Sequence, residues 1–406
     1  MLFVKLDLNM FKKRKIEDIL IKHADAREAI VVTGFRRVGK TILLRHIYDE
    51  TATKNKIFLD MESPVNQRIF LDDNYNNIKS QLRLLGIDFS KRAYVFLDEI
   101  QNLRNLPSVV KYLYDHNDIK FYLTGSSSFY LKNWFSESMA GRKFLFELFP
   151  LDFEEFLWFK ELKVKVKAGY EFLSSLYEEY LLYGGFPGVV LEQSLEEKLL
   201  KLDDILGSYF NLDVKMLANF RDNRKLKDLL FLLSSRVGSK PEVGKLAQNL
   251  GVSRQTLSGY LDFFEQTYLI HYLRPISGSR DVQIKHLPKI YFGDTGILNR
   301  IGQVSRGQLF ENKVFNQLLT SLAYRGKLGQ FGQAIGYYQV KTGAEIDFII
   351  DRKTAYEVKI AGGGFDMRKL ERAAHKLGIT DCRVITLDKI DKRLDKVVYP
   401  YGLGNS

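Results

Sequence analysis

Gly34-Phe35-Arg36-Arg37-Val38-Gly39-Lys40-Thr41 matches the pattern GxxxxGK[ST] and stands between the apolar run Ala29-Ile30-Val31-Val32 and the helical-looking Ile42-Leu43-Leu44-Arg45-His46-Ile47. The order predicts a buried strand, a tight glycine loop and a helix. Glycines at both ends of the loop let successive backbone N–H groups wrap a phosphate where the helix begins. Within it, Lys40 would reach the β and γ phosphates and the Thr41 hydroxyl would ligate Mg²⁺. ATP with Mg²⁺ is therefore the first ligand to consider, held by the whole stretch from Gly34 through Phe35, Arg36, Arg37, Val38 and Gly39 to Lys40 and Thr41.

A second run supports the first. Arg92-Ala93-Tyr94-Val95-Phe96-Leu97-Asp98-Glu99 is nearly continuous in apolar character and ends in two carboxylates, as a parallel strand buried on both faces would. Such a strand delivers its acids to the carboxyl edge of the sheet, where α/β folds bind ligands. Asp98 would hold the Mg²⁺ through its water shell, and Glu99 would orient the water that attacks the γ phosphate. A third run, Ile119 to Ser126, ends in small polar residues, with Thr124 or Ser126 as a sensor of the γ phosphate or as an ordinary turn. Gly141-Arg142 offers Arg142 as a transition-state arginine, in cis or from a neighbouring subunit.

Composition bounds the remainder. A chain of 406 residues with 45% hydrophobic side chains has room for two or three cored domains. Its formal net charge of +12 and pI near 9.3 suit a polyanionic partner such as DNA, or simply keep the chain soluble. Cys382 is the sole cysteine, which excludes an intramolecular disulfide framework and a cysteine zinc site. The apolar Met1-Leu2-Phe3-Val4 precedes the basic Lys12-Lys13-Arg14-Lys15, the reverse of a secretory signal, and no apolar run is long enough to span a bilayer. The expectation is a cytoplasmic protein without membrane insertion.

Strands alternate with helical periods to about Pro150, which predicts a parallel sheet covered by helices over 1–150. A helical lid or linker is expected over 151–223, broken at Tyr183-Gly184-Gly185-Phe186-Pro187-Gly188. From 224 to 295 the pattern is a helix at Glu242–Leu250, a turn at Gly251-Val252-Ser253 and a second helix from Arg254 to Gln266 with Ser253 as its N-cap. Two β-like segments, Tyr268–Leu273 and Lys289–Phe292, flank a polar loop around Ser277-Gly278-Ser279-Arg280 and suit the wing of a winged helix. Such a module either lays Arg254, Gln255 and Ser258 in a DNA groove or serves as a packing and signalling element.

The last segment, 296–406, holds another candidate centre. Leu309 opens a helix on which Glu311, Phe315, Leu318 and Leu322 share a face. Glu345–Ile350 and Ala355–Ile360 read as paired strands joined at Asp351-Arg352-Lys353-Thr354, with Glu357 and Lys359 on one face. An Asp, a Glu-x-Lys on the adjacent strand and a helical Glu are what metal-assisted phosphodiester hydrolysis needs. Asp347, Glu357 and Glu311 would bind a divalent ion while Lys359 steadies the attacking water and the phosphorus. An exposed charged hairpin is the alternative.

With these residues in view, the chain resembles the prokaryotic AAA-type P-loop ATPases that carry a winged-helix segment and a C-terminal PD-(D/E)XK nuclease-like domain. The resemblance rests on Gly34 to Thr41, Val95 to Glu99, Leu123 to Ser126, Gly141-Arg142 with Pro150 to Phe156, Tyr183 to Pro187, Lys289 to Gly296, and Glu311 with Asp347, Glu357 and Lys359. It implies an α/β P-loop NTPase sheet followed by a helical and winged-helix region and a PD-(D/E)XK-like α/β domain. It also implies ATP binding and hydrolysis with Mg²⁺, and it leaves a homo-oligomer open. Two functions follow as expectations: an ATPase coupled to DNA binding or processing, or a regulatory ATPase whose later domains are inactive protein-interaction modules.

Overall fold

The computed structural model describes residues 11–126, 139–162, 169–214, 223–276, 287–328, 334–339, 345–361, 366–389 and 396–403. Met1–Val4 and the loop around Ser277–Arg280 lie outside these residues. The chain divides into two compact units, one up to Phe149 with the short segment Gln266–Tyr268, the other built from Pro150 onward.

The first unit is a wholly parallel sheet of five strands, β1 (Ala29–Thr33), β2 (Lys56–Asp60), β3 (Ala93–Asp98), β4 (Ile119–Gly125) and β5 (Lys143–Glu147), in the order β2-β3-β4-β1-β5. Burial follows that order. All residues of β1 and β4 are buried, while the edge strands β2 and β5 are largely half-buried, as a helix-covered parallel sheet requires. Helices α1 (Lys15–Lys22), α2 (Lys40–Glu50) and α3 (Leu106–His116) belong to this unit. Val31, Leu97, Val110 and Phe121 are among the side chains of its main apolar cluster. At the amino edge of the sheet the fully buried Lys120 donates to the carbonyls of His23, Ala26 and Glu28 at 2.7, 2.8 and 2.7 Å. Three acceptors satisfy the three N–H bonds of one ammonium, so a charge that burial penalises is tolerated there.

In the second unit, helix α4 (Tyr170–Tyr183) ends at the glycine pair that the sequence marks as a break. Gly184 has φ +77°, and a Cβ there would lie 2.0 Å from Asp294 Oδ1; a Cβ on Gly185 would lie 2.4 Å from the Leu151 carbonyl oxygen. Close approach, as much as turning, demands glycine at both. Asp294 receives the Gly185 N–H at 2.8 Å and those of Gly296 and Ile297 at 2.8 and 3.3 Å, which caps the short helix Thr295–Ile301.

Helices α5 (Val243–Leu250) and α6 (Arg254–Gln266) are joined as the sequence predicts. Gly251 adopts the left-handed conformation at φ +60°, and Ser253 Oγ accepts the Thr256 N–H at 3.0 Å. Strands β6 (Ile270–Leu273) and β7 (Lys289–Phe292) then pair antiparallel. The last helix-bearing segment contains α7 (Arg306–Tyr324), which begins three residues before the predicted Leu309. Ser305 and Gln308 form a capping box that fixes the earlier start.

A mixed sheet completes the unit, with β8 (Ile335–Gln339), β9 (Glu345–Ile350), β10 (Thr354–Lys359), β11 (Asp381–Thr386) and β12 (Val397–Val398) in sequential order. The β8-β9 and β9-β10 pairs are antiparallel, the β10-β11 and β11-β12 pairs parallel. Helix α8 (Met367–His375) covers one face through Leu370, Ala373 and Ala374. Among the described residues no helix is long and apolar enough to cross a membrane.

Asp294→Ala removes a helix cap and leaves the buried Gly185 N–H without its acceptor. The expected loss is about 2–4 kcal/mol, read as an earlier urea midpoint for the second unit. An unchanged midpoint would show that the Asp294 bonds carry no stability.

Candidate functional site

The carboxyl edge of the first sheet is shaped by β1 and its neighbours. Leu148 N donates to the Thr33 carbonyl at 2.7 Å, which draws the chain after β5 across the end of β1. Gly34 has φ +142°, and a Cβ there would lie 2.2 Å from the Leu148 carbonyl oxygen. Backbone therefore meets backbone where the loop leaves the strand, and only glycine fits. Gly39, at φ +99°, closes the loop as the N-cap of α2. Between them Arg37 also has positive φ and is exposed, Arg36 is half-buried, and Phe35 and Val38 are buried.

Lys40 is 4% exposed and directs Nζ back into the loop, donating to the carbonyls of Gly34 and Phe35 at 2.9 Å each. The cation is thus held inside the arc of the loop, above which a phosphate would lie. The Thr41 hydroxyl, one residue on, faces Asp98 and favours its charged form.

Asp98 ends β3 and is 2% exposed. Burial raises its carboxyl above the usual range, the Thr124 hydroxyl opposes this, and the Glu99 and Asp60 charges add to it. Thr124 Oγ1 donates to Asp98 Oδ1 and accepts the Glu99 N–H at 3.2 Å. One hydroxyl on β4 consequently positions both Asp98, the last residue of β3, and Glu99, which follows it. Glu99 itself sits in the left-handed region at φ +52°, heading a short turn of 3₁₀ helix, Ile100–Asn102. A non-glycine residue held there stores backbone strain, which concentrates at functional sites.

Three contributors escape a reading of the sequence. Gln101, 6% exposed, donates Nε2 to Glu99 Oε2 and to Ser126 Oγ at 3.0 Å, tying the glutamate to the end of β4. Asp60 pairs in register with Asp98 from β2, so an additional acid stands at the same edge. Arg14, 3% exposed, donates to the Val38 carbonyl of the glycine loop at 2.8 Å and to the Phe149 carbonyl at 2.7 Å. Arg14 lies 24 positions before Val38, in the basic cluster Lys12-Lys13-Arg14-Lys15, whose sequence fits a nucleic-acid contact or a solvated helix end; only its burial reveals the role.

Residues 26–157 match the family model described as an AAA domain. Residues 174–308 and 306–403 match two further models, each described as a domain of unknown function (DUF8612 and DUF4143). The chain is 26% identical to an uncharacterized protein of Methanocaldococcus jannaschii over 412 residues, covering 96% of this chain and 89% of that one. It is 27% identical to an uncharacterized protein of Haemophilus influenzae over 341 residues, covering 81% of each. Among solved structures, the Walker-type ATPase of Pyrococcus abyssi aligns with 16% identity and a TM-score of 0.48, over 72% of this chain and 96% of that one.

Within residues 26–157 the sequence places one candidate wrongly for action in cis. Arg142 precedes β5 at the amino edge of the sheet, where its carbonyl accepts the Ala29 N–H at 2.8 Å and its guanidinium pairs with Asp115 at 2.8 Å. Lys40 and Asp98 stand at the opposite edge. The five-residue strand β1 separates them by roughly 16 Å at about 3.3 Å per residue, so Arg142 cannot reach the same nucleotide.

The second candidate centre lies outside residues 26–157. Glu311 on α7, Asp347 on β9 and Glu357 with Lys359 on β10 do come together: Lys359 Nζ lies 2.8 Å from Glu357 Oε1, and the Glu311 and Glu357 charges, after burial, raise the Asp347 carboxyl. Asp347 Oδ2 accepts the Val358 N–H at 2.8 Å. Yet the expected metal set is corrected by what stands among it. Lys289 of β7, 4% exposed, lies 3.7 Å from Glu311 Oε1 and 2.6 Å from Glu345 Oε1. Tyr291, on the same strand, donates to Glu311 Oε1 at 2.6 Å. Among the described residues no group of three or more His, Cys, Asp or Glu is placed to hold a metal ion. Arg254, Gln255 and Ser258 are exposed on the first turns of α6.

Arg14→Met keeps the side-chain length but removes the donors to Val38 and Phe149. Nucleotide affinity should fall by about tenfold, the size of one lost charge-assisted hydrogen bond, with partial recovery in Arg14→Lys. Titration with a fluorescent ATP analogue reads this, and equal affinity in all three proteins would exclude the clasp.

Proposed function

We propose that this protein binds ATP with Mg²⁺, hydrolyses it, and couples the cycle to DNA through the segments after Pro150. The observation that carries the reading is the line Thr41, Asp98, Thr124 and Glu99, in which the Thr124 hydroxyl holds one buried carboxylate and fixes the approach of a second, while Thr41 faces the first. Thr41 and Asp98 fit a hard divalent ion, being oxygen donors on adjacent elements close enough to influence each other. A bound Mg²⁺ would neutralise phosphate charge as it develops.

The chain's own contribution is positional and electrostatic. Backbone N–H groups from Gly34 to Thr41 cradle the phosphates, and Lys40, released from the loop carbonyls, supplies positive charge to the β and γ groups. Glu99, aimed by Gln101, orients the attacking water and accepts its proton.

Coupling to DNA rests on charge and presentation. The chain carries +12, and the second helix of the helix-turn-helix exposes Arg254, Gln255 and Ser258 beside an antiparallel pair that suits the wing of a winged helix. The C-terminal mixed sheet, taken as PD-(D/E)XK-like, would grip nucleic acid. One observation favours a second reading, a regulatory ATPase with catalytically inactive later domains: Lys289 lies among the carboxylates that a nuclease would need for metal.

Lys40→Ala should abolish turnover, and ordinary hydrolysis in that variant would remove the phosphate-loop assignment. Glu99→Gln should retain ATP while turnover drops by about 10²–10⁴, the usual contribution of a positioned base; full turnover would mean another group positions the water. Duplex DNA should raise ATP turnover, with a stimulation that decays steeply as salt increases and weakens in Arg254→Ala. Turnover indifferent to DNA at low salt would put the regulatory reading first.

A further inference from the structure

Every carboxylate of the C-terminal centre already has a partner from the chain. Glu311 accepts from Tyr291 and faces Lys289, Glu345 pairs with Lys289, Glu357 pairs with Lys359, and Asp347 accepts from the Val358 backbone. Strand alternation puts Lys289 and Tyr291 on one face of β7, so a single strand supplies both an ammonium and a phenol to these acids. The Lys289 side chain is 5% exposed, and its Nζ lies 5.4 Å from the Tyr337 ring centroid.

With Glu345 Oε1 at 2.6 Å and Glu311 Oε1 at 3.7 Å, the Lys289 amine is held as an ammonium among the acids. A divalent ion entering the same space would meet a fixed positive charge with little water to screen it, and would have to break the Glu311 and Glu345 pairs to gain ligands.

We infer that the Lys289 ammonium takes the place of a divalent ion in this centre, so that the C-terminal domain holds its carboxylates by a resident cation and needs no metal. The consequence is chemical as well as structural. A lysine neutralises and spaces the acids, but it brings no exchangeable water and cannot generate a metal-bound hydroxide. The inference stands apart from the ATP-site reading, since Lys40, Thr41 and Asp98 take no part in it.

Mn²⁺ binding by the full chain without nucleotide tests it, read by the electron paramagnetic resonance signal of free Mn²⁺. Wild type and Asp347→Asn should bind equal amounts, because the phosphate-loop site is unaltered in both. Lys289→Met should gain about one equivalent that the double variant Lys289→Met, Asp347→Asn loses again, while Lys289→Arg gains none. Binding in wild type that Asp347→Asn removes would overturn the inference, and so would a folded Lys289→Met that gains nothing. Should Lys289→Met fail to fold, the comparison of wild type with Asp347→Asn still decides.

Discussion

The Leu148 carbonyl oxygen leaves no space for a side chain at residue 34, and from this contact the geometry of the first unit follows. Parallel pairing of β5 with β1 carries Leu148 across the end of β1, where its N–H is anchored on Thr33. The loop must then leave the strand with positive φ and close approach, which only Gly34 permits. Its path sets where α2 begins, and α2 in turn brings Thr41 to the carboxylate at the end of β3. The site is thus a by-product of strand order, since β3 and β1 flank β4 and the β4 hydroxyl lies between their termini.

Much of this was legible because the signals are local. The run Ala29–Val32, the spacing from Gly34 to Thr41, and the acids closing Val95–Leu97 each follow from periodicity or backbone permissiveness over a few residues. The join at Gly251-Val252-Ser253 was equally readable, since a left-handed glycine and a serine cap are short-range chemistry. What the sequence concealed depends on distant partners. Arg14 appears as one of several adjacent basic residues, and nothing nearby tells that its guanidinium is buried against Val38 and Phe149. Gln101 follows the two acids closely enough to invite attention, but its role depends on the turn that places its amide against Glu99.

The same limit explains the two corrections. Arg142 follows a glycine, and the strand that begins just after it, Lys143–Glu147, is not among the apolar runs that stand out in the sequence; a residue leading into a strand of this parallel sheet lies at its amino edge, away from the phosphate loop. In the C-terminal centre the acids were readable from alternation on β9 and β10 and from the helical face of α7. Lys289 was not, because β7 is more than fifty residues before β9 and reads simply as an apolar strand with a basic first residue. A set of ligands can be complete in sequence and still be occupied in space by a cation from elsewhere in the chain.

The Arg14 clasp also bears on where the first unit begins. The AAA domain match starts at residue 26, but the donor to Val38 and Phe149 stands twelve positions earlier, just ahead of α1. A fragment cut at the family boundary would keep every residue of the phosphate-loop pattern and lose the hydrogen bonds that brace it from behind. The compact unit therefore begins ahead of the homology unit, and excision at the latter would leave an intact motif without the brace behind it.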